Sequence, residues 1–285
     1  MKVQKVLHLH IQEKKKKPNI NHTYIVTEKL DGWFGYIDHI DGEWSNIHSR
    51  VGREIPSLLW ARQEFQELSI HENVRLIFEI TIPNQPFHIL NGILNRSVGD
   101  CQARDAIFHL HDIISYDYSY CARDRLHRLL GLDLETVKYH IRRIPVLAIT
   151  EDKEVWMDYF NEVTNAGGEG VVLKQLDAVY QPDKRNSSLM KIKLEDTFDL
   201  ECIDMFHTVG DKGHDNLNIS LRRKSGVVIT VRVGKDEDRY LFETYPNEIL
   251  GKVVEVKCMC ELDGGMLREP RFVRVRNDKL IEDID

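Results

Sequence analysis

The pattern of apolar residues changes near residue 195, and this change limits the possible folds more than any other feature of the sequence. Before it, strand-like alternation is mixed with helical periodicity in the segments 55–68, 124–140, with an interruption near Gly131, and 151–168. After it, short alternating runs are separated by polar turns, and no long helix is predicted. The sequence therefore predicts an α+β fold in two parts, with strands and helices in residues 1–195 and a small β-barrel in residues 196–285.

The composition is that of an ordinary globular protein, with 285 residues, of which 42% are hydrophobic and 30% charged. The net charge of −7 is unfavourable for binding nucleic acid, but such binding depends on where the basic groups cluster. The five cysteines form no CxxC pair, which favours free thiols in a reducing cytoplasm over a zinc site. No apolar run approaches the ~20 residues of a membrane span, and the N-terminal sequence lacks a signal-peptide pattern. We therefore expect a cytoplasmic protein without a membrane partner and, by default, a monomer.

The segment TEKLDGWFG contains the first candidate for chemistry, Lys29. Apolar and polar residues alternate on both sides of Asp31-Gly32, which predicts a strand, a tight turn and a second strand. A lysine nucleophile must lose its proton, and the ordinary lysine pKa of ~10.4 opposes that loss at neutral pH. Lys191 and Lys193 lie two residues apart on a predicted strand, so they share a face and could favour the neutral amine or hold a phosphate. Exposed lysines beside a strand are the alternative interpretation.

Two carboxylates and an arginine pair add to this set. Glu79 lies inside an apolar strand, and Glu169 separates a glycine pair from a short buried strand. Carboxylates near phosphates typically hold Mg²⁺, although each could instead be a structural group at a strand. Arg50 and Arg53 flank a glycine in SRVGR, a pattern that suits phosphate binding or a solvated turn.

The segment LREPRFVRVRNDK is the most unusual stretch of the chain. Arg274 and Arg276 alternate with Val273 and Val275, so one face of the predicted strand is basic. A run of charges is often only a solvated face. Here the alternation with apolar residues favours a strand that presents arginines to phosphates.

The order of these motifs resembles that of the ATP-dependent DNA ligases, which belong to the covalent nucleotidyltransferase superfamily. The order is KxDG, SRVG, FEI, HLHD, EGVVLK, KIK and RxPxFxRxRxDK, and it extends from about Thr23 to Lys279. The resemblance is to the minimal viral or phage type. It implies a nucleotidyltransferase domain with ATP-grasp-like antiparallel sheets in residues 1–195 and an OB-fold in residues 196–285, without an amino-terminal DNA-binding domain.

The resemblance also implies ATP and Mg²⁺ as cofactors and nicked duplex DNA as the partner. Lys29 would attack the α-phosphorus of ATP and form lysyl-AMP, which then adenylylates the 5′-phosphate of the nick. Asp31 and Glu169 would bind the metal, and Arg50, Arg53 and Arg185 would bind DNA. The residues implied in nucleotide binding are Thr27, Glu28, Glu79, His111, Lys174, Lys191, Lys193, Arg276, Asp278 and Lys279.

The sequence departs from the family pattern at three positions. Phe34 stands where an arginine usually follows the KxDG motif. His111 stands where an aromatic residue usually stacks on adenine, and Phe108 would take that role only in a different register. Thr27 replaces a glutamate that often precedes the lysine by two residues.

Four other functions share part of this motif set. An RNA ligase would use Lys29, Glu79 and Glu169 but would more often lack the β-rich second part and its basic tail. A GTP-dependent mRNA guanylyltransferase has the same two-part plan, and an NAD-dependent ligase would need further, cysteine-rich domains. A non-catalytic OB-fold protein that binds DNA would explain the basic strand but not Lys29. Replacing Lys29 by alanine separates such a binding protein from a ligase.

Overall fold

The computed structural model describes residues 2–13, 20–96, 101–210 and 213–285. The chain divides into two compact units, Met1–Lys193 and Leu194–Asp285. This division falls two residues before the boundary expected from the sequence pattern. Among the described residues, no helix has both the length and the apolar character needed to cross a membrane.

The first unit contains two separate sheets. Its strands are β1 (Lys5–His8), β2 (Tyr24–Glu28), β3 (Trp33–Ile40), β4 (Glu43–Trp44), β5 (His48–Ser49), β6 (Val74–Thr81), β7 (Ile107–Ser115), β8 (Ile141–Arg143), β9 (Val146–Thr150), β10 (Gly170–Gln175) and β11 (Arg185–Lys193). A five-stranded sheet has the order β1-β11-β10-β2-β9, and a six-stranded arrangement has the order β4-β3-β6-β7-β8 with β5 paired to β3. All strands of the second sheet thus lie in the sequence between β2 and β9 of the first. Neighbouring strands are antiparallel except for the pairs β1–β11 and β7–β8.

The helices of this unit cover the sheets and complete their cores. The fully buried Trp156 packs edge-on against Tyr24 of the five-stranded sheet, with 5.1 Å between the ring centroids. Phe65 packs against Phe78 and Phe108 of the six-stranded sheet. The helices are α1 (Leu9–Glu13), α2 (Arg62–Gln66), α3 (Phe87–Leu94), α4 (Ala122–Leu130) and α5 (Lys153–Asn165), with 3-10 helices at Pro56–Ala61 and Cys101–Asp105.

The elements of the second unit are β12 (Asp196–Val209), β13 (Asp215–Arg222), β14 (Val228–Arg232), α6 (Asp236–Thr244), β15 (Val253–Cys258), β16 (Cys260–Glu261), β17 (Leu267–Arg268) and β18 (Arg271–Val275), with 3-10 helices at Pro246–Glu248 and Ile281–Asp283. The unit is built on a five-stranded antiparallel sheet with the order β14-β13-β12-β15-β18 and a separate β16–β17 pair. Its core is formed mainly by alternate residues of these strands and includes Phe242 of α6.

Two predicted helical segments are shorter in the structure, and one helix was not predicted. The segment 55–68 begins as a 3-10 helix and is α-helical only over Arg62–Gln66. In the segment 124–140 an interruption is predicted near Gly131, and the helix ends at Leu130, where Gly131 caps it. The second unit contains α6, although no long helix was expected there. Only Phe242 of α6 is buried, so its apolar periodicity is too weak to be recognised.

Candidate active site

Lys29 lies between β2 and β3 and is held by the segment that begins β10. Its backbone N–H donates to the Gly170 carbonyl oxygen at 2.8 Å, and its ammonium forms an ion pair with Glu169. The Glu169 side chain is only 6% exposed, so this is a buried carboxylate with a specific cationic partner. The structure therefore brings two predicted site residues, 140 positions apart in the sequence, into direct contact.

Two glycines make this approach possible. At Gly170, where φ is +145°, a Cβ atom would lie 2.1 Å from the Ile192 carbonyl oxygen. At Gly32, a Cβ atom would lie 2.5 Å from the Ile80 carbonyl oxygen and 2.8 Å from Cγ of Glu79. Only glycine leaves room for such backbone contacts. The glycines of KxDG and EG thus allow the Lys29 turn to pack against β6 and the Glu169 turn against β11.

The five-stranded sheet aligns further predicted residues beside Lys29. In the register of β2, β10 and β11, Thr27 and Lys191 both pair with Val172. Lys193 pairs with Gly170, the residue whose carbonyl accepts the Lys29 N–H. The two lysines that the family resemblance implies in phosphate binding therefore lie on β11, which pairs with β10, the strand that Glu169 directly precedes.

The six-stranded sheet supplies the opposite wall of the site. Glu79 of β6 pairs with Phe34 of β3 and with His109 of β7. The Phe34 and His111 rings have centroids 6.1 Å apart, and the Arg50 guanidinium carbon lies 4.7 Å from the Phe34 centroid. Phe34 occupies the position where the family usually has an arginine. It lies within contact distance of Arg50, which belongs to the SRVG motif.

A cavity of about 130 Å³ joins these groups. Seven of the predicted residues line it, namely Thr27, Glu28, Lys29, Arg50, Glu79, His111 and Lys174. The same lining includes Val3, Gln4 and Val6 near β1, and Tyr180 between β10 and β11. These four residues were not among the predicted site residues. No local sequence pattern signals the residues at β1, because β1 reaches the site through a long-range parallel pairing with β11.

The remaining predicted residues of the first unit lie outside this cavity lining. Of these, Asp31, Arg53 and Arg185 are exposed, and Arg185 begins β11. Asp31 and Glu169 are near enough to Glu79 to influence its ionisation. The first unit therefore presents three carboxylates close to Lys29.

A buried ion cluster lies behind His111. Lys174 donates to the His111 carbonyl oxygen and to Oδ2 of Asp112, both at 2.7 Å. Arg125 of α4 donates from Nε to Oδ1 of Asp112 at 2.8 Å and from Nη1 to the Tyr120 carbonyl oxygen at 2.8 Å. Burial would raise the pKa of Asp112, but the Arg125 and Lys174 cations overcome it and hold that pKa well below its usual range. Burial lowers the pKa of Lys174, and Asp112 opposes that shift.

Lys174 was among the predicted site residues, whereas its partners Asp112 and Arg125 were not. Asp112 stands in an apolar strand as Glu79 does, so a carboxylate inside the run HLHDIIS was the available signal. Arg125 lies in an amphipathic helix among other charged residues, where nothing in the sequence marks it as buried.

The pKa values of Glu79 and His111 in the cavity are shifted as well. Burial raises the pKa of Glu79 to about 7, against the opposing effect of Lys29 and Arg50. Burial also lowers the pKa of His111 to about 3, assisted by the nearby Lys174 cation. His111 is therefore a neutral ring at physiological pH, and Glu79 takes up a proton more readily than an ordinary glutamate.

The Glu79 shift predicts a pH-dependent stability difference from the variant Glu79→Gln. The folded-state pKa lies above the ordinary value of 4.5, so the wild type loses stability relative to the variant as pH rises from 4.5 to about 7. We expect the melting temperature of Glu79→Gln to exceed that of the wild type at pH 8 and the difference to shrink towards pH 5. The exposed Glu67→Gln serves as the control. A melting-temperature difference between Glu79→Gln and the wild type that does not change with pH would contradict the raised pKa of Glu79.

The predicted residues of the second unit form their own ion cluster. Arg276 donates from Nη2 to Asp278 at 2.8 Å and from Nη1 to Asp199 at 3.2 Å. Lys279 donates to the same Asp199 at 2.6 Å. Arg274 pairs with Glu255 at 2.7 Å. The strand predicted to present arginines to phosphates therefore has these cations neutralised by neighbouring carboxylates.

Comparison with known proteins places the chain in a family. The sequence profile of the family described as "ATP dependent DNA ligase domain" matches residues 6–193. The DNA ligase of Methanospirillum hungatei is 27% identical over 220 residues, which cover 68% of this chain and 40% of that protein. The DNA ligase 2 of Methanosarcina mazei is 30% identical over 165 residues, covering 48% of this chain and 29% of that protein. This chain thus matches less than half the length of either relative.

Two solved structures have the same fold. One, from a structure–function study of Lig E DNA ligases that describes DNA binding with a minimal scaffold, has a TM-score of 0.75 at 20% identity. It covers 97% of this chain and 99% of that one. The Chlorella virus DNA ligase–adenylate has a TM-score of 0.52 at 18% identity and covers 97% of this chain and 99% of that one. With a family profile that extends over well more than half of its residues, the chain belongs to the family of ATP-dependent DNA ligase domains.

Proposed function

We propose that this protein is an ATP-dependent DNA ligase that seals nicks between a 5′-phosphate and a 3′-hydroxyl in duplex DNA. The observation that carries the proposal is Lys29, fixed by Gly170 and Glu169 at a cavity that also contains Glu79, His111 and Lys174. Family membership supports the same reaction.

The proposed reaction consists of three phosphoryl transfers. The neutral Lys29 amine attacks the α-phosphorus of ATP, the bond to the bridging oxygen breaks, and pyrophosphate leaves with the electron pair. An oxygen of the 5′-phosphate then attacks the adenylyl phosphorus and releases Lys29. Finally the 3′-hydroxyl loses its proton, attacks the 5′-phosphorus and displaces AMP. Positioning and charge neutralisation supply most of the catalysis in such transfers, which explains why lysines, arginines and carboxylates dominate the site.

The carboxylates near Lys29 fit a role in holding Mg²⁺. Within the described ranges no group of three or more His, Cys, Asp and Glu side chains could form a metal site by itself. Mg²⁺ does not require one, because it is usually bound through one or two carboxylates together with substrate phosphates and waters. Glu169 and Asp31 would hold the ion, which when bound would neutralise charge on the phosphates.

The nucleotide would be recognised by residues of both sheets. Glu79 would bind the ribose, and Lys191 and Lys193 would bind the α-phosphate from the strand beside Glu169. Neutral His111 would stack on adenine, while Thr27, Glu28 and Lys174 would contact the base and its surroundings. All of these residues either line the cavity or, like Lys191 and Lys193, lie on the neighbouring strand β11.

DNA would be bound by exposed arginines and the second unit. Arg50, Arg53 and Arg185 have side chains free to reach phosphates at the protein surface. We take the second unit to be an OB-fold, because its five-stranded antiparallel sheet suits that partly open barrel. Its residues Arg276, Asp278 and Lys279 would act on the departing pyrophosphate.

Sealing of a nicked duplex with a 5′-phosphate tests the proposal. The assay is run with Mg²⁺ and with ATP, GTP or NAD in parallel. Sealing with ATP alone is expected. Covalent labelling of the protein by GTP without sealing would favour a guanylyltransferase, and sealing of RNA but not DNA would favour an RNA ligase. If the protein binds DNA but forms no covalent bond to a nucleotide, it is a non-catalytic DNA-binding protein.

The stacking role of His111 predicts a specific effect on ATP affinity. Replacing His111 by alanine removes the ring but leaves the backbone carbonyl that accepts the Lys174 hydrogen bond. Because aromatic stacking contributes about 0.5–1.5 kcal/mol, the KM for ATP is expected to rise roughly 2- to 10-fold. His111→Phe is expected to restore or improve the wild-type KM, and the exposed His71→Ala is the control. An unchanged KM in His111→Ala would assign the stacking role elsewhere.

A further inference from the structure

Phe34 lies between Arg50 and Glu79 in one row across the six-stranded sheet. Gly35 of β3 pairs with Ser49 of β5, and because this pairing is antiparallel, the next residues, Phe34 and Arg50, come side by side. On its other side Phe34 pairs with Glu79 of β6. The register therefore places an aromatic ring between an arginine and a carboxylate of the cavity.

A tight turn fixes the backbone of Arg50. The Ser49 N–H donates to the Arg53 carbonyl oxygen at 2.8 Å, and the Gly52 N–H donates to the Ser49 carbonyl oxygen at 2.9 Å. Gly52 has a φ of +82°, in the region that favours glycine. The turn sets where the Arg50 side chain begins, but a long arginine side chain needs a further contact to fix its end.

The Phe34 ring provides that contact. The guanidinium carbon of Arg50 lies 4.7 Å from the ring centroid, within the ~6 Å over which a cation is attracted to an aromatic face. Phe34 in turn packs against a buried cluster that includes Tyr36, Ile77 and Tyr180. Among the residues that the structure describes, none forms an ion pair with Arg50, so its N–H donors can meet an anionic ligand.

The guanidinium is held at the cavity of the active site. Arg50 lines this cavity together with Lys29, Glu79 and His111. Burial dominates the pKa shifts of Glu79 and His111, and the Arg50 charge is close enough to lower the pKa of each. The anionic group that must lie beside Lys29 in the proposed reaction is the α-phosphate of ATP, and guanidinium donors match phosphate oxygens.

We propose that Phe34 is a positioning residue for adenylylation, whose ring holds the Arg50 guanidinium at the cavity so that it binds the phosphates of ATP. The inference rests on the proposed ligase function and assigns a task to an aromatic residue where the family usually has an arginine. The family resemblance implies a DNA contact for Arg50. Contact with ATP comes before DNA binding and uses residues of the first unit.

The test measures lysyl-AMP formation without DNA over a range of ATP concentrations. Phe34→Leu keeps an apolar side chain but removes the ring, so the ATP concentration that half-saturates the step is expected to rise roughly 2- to 5-fold. Phe34→Tyr keeps the ring and is expected to stay near the wild type. Arg50→Gln removes the cation itself, and the half-saturating ATP concentration is expected to rise roughly 10- to 100-fold, because a hydrogen bond to a charged group is lost.

A double variant and a matched control make the test specific. If Phe34 acts through Arg50, Phe34→Leu/Arg50→Gln should need no more ATP than Arg50→Gln alone. Tyr120→Leu removes another ring in contact with an arginine, since the guanidinium carbon of Arg128 lies 4.4 Å from the Tyr120 centroid. This control should leave the ATP requirement unchanged. Melting temperatures close to that of the wild type would show that each variant is folded.

The outcomes separate this inference from the function on which it rests. An additive double variant would mean that Phe34 contacts the nucleotide itself, and an unchanged ATP requirement in Arg50→Gln would confine Arg50 to DNA. A Phe34→Tyr variant as impaired as Phe34→Leu would show that the ring is not what holds the arginine. Each of these results overturns the role of Phe34 and leaves the ligase proposal intact. A wild type that forms no lysyl-AMP would overturn both.

Discussion

Replacing Lys29 by alanine is expected to abolish both the covalent labelling of the protein by ATP and the sealing of nicks. Removal of a nucleophile typically costs several orders of magnitude in rate, so a loss of at least about 1000-fold is expected. The measurement is transfer of labelled AMP to the protein, with the bond checked for the acid lability of a phosphoramidate. The structure gives a reason for choosing Lys29, since its backbone and its ammonium are both held, by Gly170 and by Glu169.

Two control variants distinguish the loss of the Lys29 nucleophile from the loss of a positive charge. Lys29→Arg keeps a cation for Glu169, but a guanidinium stays protonated and cannot act as the nucleophile, so it should fail like the alanine variant. Lys153→Ala removes another lysine of the first unit that forms an ion pair, with Glu13, and should leave labelling unchanged. Labelling that persists in Lys29→Arg would mean that another residue carries the AMP.

The sequence predicted the strand–turn–strand around Asp31-Gly32 because both strands alternate clearly and the turn has suitable residues. It also singled out seven of the residues that line the cavity, but through the order of motifs and not through any distance. Lys29 and Glu169 are 140 positions apart, and only the pairing of β2 with β10 brings them together. Local periodicity reports which face of a strand is buried and contains no information about its partner.

Other parts of the structure gave no local signal. The strand β1 depends on a distant parallel partner, β11, and α6 has one buried residue, so neither stands out in a periodicity analysis. The basic face predicted for β18 illustrates a different limit. The alternation of Arg274 and Arg276 is real, but Glu255 and Asp199 neutralise them from neighbouring strands. A charge pattern on one strand cannot show what the adjacent strand places opposite it.

Replacing Asp112 by alanine is expected to cause the largest loss of stability. It would leave Arg125, which is 4% exposed, and Lys174 without their shared carboxylate. Breaking a buried ion pair from one side typically costs about 3–5 kcal/mol, because a charge remains buried and unpaired. All four tryptophans of the chain lie within residues 1–193, so tryptophan fluorescence in a urea titration reports on unfolding of the first unit. Adenylylation should also decline, because Lys174 lines the cavity.

Asp177→Ala is the matched control for this loss. It removes the partner of Arg123, which lies on the same helix as Arg125, but that pair is 51% and 68% exposed. Exposed pairs contribute about 0–1 kcal/mol, so this variant should unfold close to the wild type. Equal destabilisation by the two alanine variants would contradict the structural role assigned to the buried cluster.

Acid titration gives an independent test of the same cluster. The folded-state pKa of Asp112 lies below its ordinary value of 3.8, so the stability that its charge contributes is present above that pH and is lost as pH falls towards the folded-state pKa. The difference in unfolding free energy between the wild type and Asp112→Ala should therefore be constant near neutrality and narrow below pH 3.8. The opposite trend, a difference that widens in acid, would mean that Asp112 is protonated in the folded protein. A protonated Asp112 would leave Arg125 and Lys174 to repel each other without a counter-ion. The hydrogen bonds that both cations donate to the two Asp112 oxygens argue against that state.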